Sequence, residues 1–151
     1  MSKASKLKNY REGQSIVEFT LILPILLIII MGIIQFGLVL SGYITISNAA
    51  REGARVGIID KTVASINSKV NEAFDLSPTL SLTSVSDITD PGVTSNPSIV
   101  DNGFSPGQPL AVKVYGDVDI IVPFLDTILG QDFVRMSREA TMMIEGYVEE
   151  D

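Results

Sequence analysis

The chain of 151 residues contains neither histidine nor cysteine. The commonest general base, the commonest metal ligand and all thiol chemistry are therefore absent, and any catalysis would fall to carboxylates, serine, lysine or tyrosine. The acids closest to one another in pattern are Asp117 with Asp119, on one face of an alternating stretch, and Asp87 with Asp90, in a polar segment. Paired carboxylates suit calcium, but neither pair has the spacing of an EF-hand loop, so both read as solvating charges. No nucleophile elbow, Walker loop or dinucleotide fingerprint occurs. The sequence thus predicts no enzyme, no cofactor and no metal site. A different acid is placed where its type matters: Glu18 heads a long apolar run and follows Gly13-Gln14-Ser15-Ile16-Val17.

The run that must position Glu18 extends from Phe19 to Leu40, 22 residues in which only Thr20 and Gln35 are polar. As a helix it reaches roughly 33 Å, against a bilayer core of about 30 Å, so it is read as one transmembrane span. A carboxylate is costly at the centre of such a span and tolerable at its end. Ser15 to Glu18 also has the capping-box spacing, which offers Glu18 a purely structural use as an N-terminal cap. Ahead of the span lie Lys3, Lys6, Lys8 and Arg11 with only Glu12 opposing, which places the N-terminus in the cytoplasm and the rest outside. Tyr10 and Tyr43 occupy interfacial positions. The first 15 residues hold four basic residues and one acid, so of the net −7 the remainder carries −10, a surface unsuited to nucleic acid. Secretory cleavage near Ser47-Asn48-Ala49 is disfavoured because the apolar run is too long for a signal peptide.

Beyond the span, Gly37, Ser41, Thr45, Ala49, Gly53 and Gly57 recur every four residues. Such a row of small side chains lets another backbone approach, either a neighbouring helix or the protein's own outer domain. Each step of four drifts about 40°, so one straight seam along the whole row is not expected. Asn48, Arg51, Glu52 and Arg55 form a juxtamembrane block, with the arginines at i, i+4 and Glu52 three residues before Arg55; it reads first as a collar facing lipid headgroups.

After Gly57 the pattern changes. Asp60 is the expected cap of a second helix with Val63, Ile66, Val70 and Phe74 on one face. Thr79 to Val85 reads as a short strand. Residues 86–109, with four prolines among Ser, Asp, Asn and Gly, read as a surface loop. Leu110 to Val122 alternates clearly, with Gly116 as a site for a bulge or bend. Pro123 opens a short helix that stops at Gly130, and Val134 to Ile144 alternates again. The expected architecture is α+β: a long N-terminal transmembrane helix, then a small extracytoplasmic domain with a second helix and a two- to three-stranded antiparallel sheet.

Gly13 followed by Gln14-Ser15-Ile16-Val17-Glu18 and an apolar helix resembles the signal of type IV pilins and pseudopilins. With Leu23-Pro24, Gly32-Ile33-Ile34-Gln35-Phe36-Gly37 and Asn48-Ala49-Ala50-Arg51-Glu52-Gly53-Ala54-Arg55, residues 13–57 resemble the TadE-like family, minor pseudopilins of the tight-adherence (Flp) pilus machinery. Gln35 departs from the pattern, since many members carry an acid there. The resemblance implies processing between Gly13 and Gln14 by a prepilin peptidase and a role for Glu18 in assembly. It also implies other pilins or pseudopilins and pilus-assembly membrane proteins as partners, alongside membrane lipid. On this reading residues 1–13 are a removable leader, 14–58 the membrane and juxtamembrane helix, and 59–151 the outer domain. The competing reading is an uncleaved single-pass anchor carrying an extracytoplasmic binding module.

Overall fold

The computed structural model describes residues 3–78, 80–91, 93–100, 104–122 and 125–145, with side chains from residue 14 onward except that of Ile128. Thr79, Pro123 and Phe124 lie outside the described residues, as do the side chains of Lys3, Lys6, Lys8, Tyr10, Arg11 and Glu12 in the leader. The architecture is mixed α+β. Helix α1 (Lys3–Asp60) is followed by α2 (Val63–Asp75), β1 (Leu80–Leu82), a 3-10 turn at Val85–Asp87, β2 (Ser98–Val100), β3 (Pro109–Asp119), α3 (Leu125–Leu129) and β4 (Phe133–Met143). Two compact units divide at Phe36 and Gly37, so residues 37–60 of α1 belong to the same unit as the C-terminal domain.

In the first unit α1 is a single apolar helix that continues through Pro24. It is long and apolar enough to cross a membrane. Its large side chains face outward all round, from Ile16 and Phe19 through Ile28 to Phe36, which is 69% exposed. A surface so uniformly apolar and uncovered belongs in lipid rather than water.

In the second unit α1 serves as a core element. Ile46, Ala49, Ala50 and Ala54 are buried with Ile66, Val70 and Phe74 of α2 and with Leu110, Val112, Val114 and Val118 of β3. Each fully buried aliphatic side chain contributes about 1.5–3 kcal/mol. The two helices join through only two residues. Lys61 takes the left-handed conformation (φ 53°) and its amide donates to the Gly57 carbonyl at 3.0 Å, closing α1. The cap of α2 is Thr62, whose hydroxyl accepts from the Ser65 amide; Asp60, the expected cap, is the last residue of α1. The α1 helix continues further than periodicity alone indicated, and the cap moved with its end.

The sheet has four antiparallel strands, one more than the upper count expected from sequence. β3 is central: β4 runs along its whole length on one side, while β1 and β2 take successive stretches of the other. β2 lies within the segment read as loop. Its three residues are too few to show alternation, and they pair because β3 presents a free edge at Ala111 to Lys113. The ladder from Pro109↔Met143 to Asp119↔Phe133 is unbroken, so Gly116 makes no bulge. Gly116 is required for a different reason: a Cβ there would lie 2.8 Å from Ile46 Cδ1 and 3.0 Å from Phe74 Cε1. Both helices approach the sheet at this point.

Gly116→Ala should therefore lower stability by about 1–3 kcal/mol, the usual cost of overpacking. Gly37→Ala, with nothing within 4 Å of the added carbon, should be neutral or slightly stabilising. Thermal unfolding of the full chain in neutral detergent, followed by tyrosine fluorescence, checks both.

Candidate functional site

Glu18 and Gln14 stand one turn apart on α1, and the Gln14 side-chain amide donates to Glu18 Oε1 at 3.2 Å. Both are exposed. The capping box expected from Ser15 and Glu18 is not formed, because α1 begins at Lys3 and the amide of residue 18 lies inside a continuous helix. Glu18 is satisfied from the side, by Gln14. Thr20 likewise turns its hydroxyl onto the Ile16 carbonyl at 2.8 Å, a common way to satisfy a polar side chain in an apolar helix. Gly13 lies in α1, immediately before the first described side chain.

The small-residue row divides. Ala49, Gly53 and Gly57 are buried in the C-terminal domain, Thr45 is half-buried, and Ser41 and Gly37 are exposed, as a row drifting around the helix requires. A Cβ on Gly57 would come within 2.5 Å of Leu110 Cδ2 and 2.7 Å of Ile66 Cδ1, and one on Gly53 within 3.1 Å of Val70 Cγ2. Gly42, outside the row, is also in the contact, 2.5 Å from Val118 Cγ2 by the same measure. The apolar period of Gly42, Ile46, Ala49, Ala50, Gly53, Ala54 and Gly57 is the signal that would have located this seam, since it follows i, i+4, i+7 and i+8.

In the juxtamembrane block, Asn48, Arg51 and Arg55 are exposed and Glu52 half-buried. Arg55 binds Glu52 through Nε at 2.9 Å and a terminal nitrogen at 2.8 Å. Arg51 lines a cavity with Tyr43, Ser47, Arg138 and Glu139. In the first unit Gln35 is buried, 5% exposed, amid exposed apolar neighbours.

The carboxylates read as solvating charges are partnered instead. Asp117 is only 9% exposed and takes a forked contact from Arg135, with Nε at 2.9 Å and Nη2 at 3.2 Å. Arg135 Nη1 also donates to the Asp87 carbonyl. Asp90 accepts from Lys113 at 2.5 Å and from the Tyr115 hydroxyl at 2.7 Å. The hydrogen bonds from Lys113 and Tyr115 hold the Asp90 carboxyl below the usual carboxylate range, and Asp90 in turn raises the Lys113 ammonium. Burial, more than its bond to Asp90, raises the Tyr115 phenol. Asn96 completes this face: its side chain donates to the Thr83 and Tyr115 carbonyls, each at 2.8 Å, and accepts from the Tyr115 amide at 3.0 Å. The segment read as free loop is therefore latched to the sheet. Among the described residues no three His, Cys, Asp or Glu side chains come together as a metal site.

These contacts tie elements of the domain together: Asp90 and Asp117 each face a cation of their own domain. Because the folded-state pKa of Asp90 lies below its unfolded value, the folded chain holds that proton less tightly, and acid favours unfolding. The contribution is complete above the ordinary carboxylate pKa and is lost as pH falls through the lower folded one. Asp90→Asn should flatten the loss of stability below about pH 4, read as the acid-unfolding profile of tyrosine fluorescence. An unchanged profile would show that the latch does not depend on this charge.

No curated protein and no solved structure matches the chain. A family does: residues 13–55 match the model described as TadE-like protein. The matched stretch runs from Gly13 past Glu18 and the apolar run to Arg55, and leaves α2 and the sheet beyond it. Residues 13–55, within α1, are thus similar to the TadE-like family, a pilus-associated structural family.

Proposed function

We propose that this chain is a minor pseudopilin-like structural protein acting in assembly of a tight-adherence (Flp) pilus or a related secretion system. α1 anchors it in the cytoplasmic membrane, with the basic leader inside and the outer domain outside, as the charge of the flanks favours. A prepilin peptidase cuts after Gly13. Its partners are other pilins or pseudopilins and the membrane proteins that assemble them.

One observation carries the reading. The TadE-like match coincides with a single helix that is apolar and exposed over residues 14–36 and becomes core over residues 46–57. A helix so built needs lipid or neighbouring helices around its first part and cannot be shed from its second. Release by ordinary signal peptidase near Ala50 would remove Ile46 and Ala49 from the core, which argues against a secreted domain.

Glu18 supplies the chemistry of assembly. Its present partner is the neutral amide of Gln14. Cutting after Gly13 makes Gln14 the first residue and gives it an ammonium group. The Glu18 carboxylate of one subunit then pairs with the Gln14 amine of its neighbour, because a charge-assisted bond in a low-dielectric setting is roughly twice as strong as a neutral one.

Mass spectrometry of the mature chain from membranes should give Gln14 as the first residue. An intact leader would support the uncleaved anchor carrying a binding module, and a start near Ala50 a secreted domain. Glu18→Gln keeps the size and loses the charge; it should leave membrane insertion intact and reduce co-purification with partner pseudopilins about tenfold or more, the equivalent of one charge-assisted bond. Unchanged co-purification would sink the proposed pairing.

A further inference from the structure

Seven arginines and lysines fall between Gly37 and Glu145. Four are held in ion pairs: Arg55 with Glu52, Lys69 with Glu72, Lys113 with Asp90 and Arg135 with Asp117. Lys61, in the turn after α1, has no ion pair among the described residues, and neither have Arg51 and Arg138, although acids outnumber bases in this unit. The two arginines line the same cavity, of about 250 Å³, together with Tyr43, Ser47 and Glu139. Two like charges beside one cavity repel each other, and an acid-rich domain had ample means to neutralise them.

The cavity is built from two rigid elements. Tyr43, Ser47 and Arg51 are spaced i, i+4 and i+8 and share one face of α1. Arg138 comes from β4, and its guanidinium carbon sits 4.0 Å from the centre of the Tyr43 ring. That cation–π contact holds the guanidinium against the ring. Arg138 Nε is buried without an acceptor, a costly state for a charged donor. The cavity itself is lined by two guanidinium-bearing residues, Arg51 and Arg138, and so favours an anion.

The donor set indicates which anion. Two guanidinium groups and a serine hydroxyl match the several oxygens of a phosphate. Glu139 at the rim reduces the cavity to a formal charge of +1, which suits the single charge of a phosphodiester better than a dianion. Tyr43 lies three residues beyond the apolar run, at the depth where aromatic residues meet headgroups. We propose that Tyr43, Ser47, Arg51 and Arg138 form a pocket for a phosphodiester, supplied by the headgroup of an anionic phospholipid. The lipid as its source rests on the membrane-anchor reading; the affinity for a phosphodiester does not.

The test uses the full chain in neutral detergent, titrated with dihexanoyl phosphatidylglycerol and with glycerophosphoglycerol, the same headgroup without acyl chains. Succinate serves as the comparison, and tyrosine fluorescence is the readout. The expected result is a saturable response to phosphatidylglycerol, weakened about tenfold or more in Arg51→Gln and Arg138→Gln. Arg138→Lys, which keeps charge but loses the planar fork, should fall between. Arg55→Gln, whose arginine already has a partner, should bind as the parent does. Arg51 is exposed, so its variant tests the pocket even where Arg138→Gln disturbs folding. Stronger binding of the lipid assigns the source to the membrane, and equal binding of glycerophosphoglycerol assigns it to a soluble phosphodiester; both support the pocket. Absence of a saturable response, full affinity in Arg51→Gln, or succinate binding as tightly as the phosphodiester would overturn it, the last by assigning the site to a carboxylate of an acidic protein segment.

Discussion

The C-terminal domain depends on one close approach, that of α1 to β3 at Gly116. Ile46 and Phe74 stand over Gly116, and Gly42, Gly53 and Gly57 let Val118, Val70 and Leu110 reach the helix surface. Small residues on both elements bring backbones near enough for Ile46, Ile66, Val112 and Val114 to be completely buried. The same helix is apolar and exposed in the first unit and supplies core residues in the second.

Polar interactions secure the opposite face of the sheet. Asn96, Asp90, Asp117 and Arg135 tie the segment after β1 onto β3 and β4. Each contact is modest, since partly exposed ion pairs contribute about 0–1 kcal/mol. Their collective effect is geometric: they cover Tyr115 and Asp117 and give a thin sheet a second layer. Arg51 and Arg138, the arginines of this unit without an ion pair among the described residues, come together from α1 and β4.

Legibility followed the range of the interaction. The apolar run, the α2 face of Ile66, Val70 and Phe74, and the alternation in β3 and β4 were plain because periodicity is local. The two misplaced caps, at Ser15 and Asp60, share one cause. Both depend on where α1 starts and stops, and helix ends carry weaker signals than helix faces. β2 was missed because three residues contain too little alternation, and Asn96 because no spacing announces a side chain that bonds across 19 residues.

Order along the chain was enough to read one apolar span with an acid at its head, a likeness to the TadE-like family over residues 13–55 and a mixed α+β architecture. These follow from hydrophobic period, composition and short spacings. Only the tertiary structure decided which part of the small-residue row is buried, that Gly116 is a contact point rather than a bulge, and which cations find partners. The reason is physical: those outcomes depend on groups far apart in the chain meeting in a low-dielectric interior, where burial and pairing are settled by packing and not by order along the backbone.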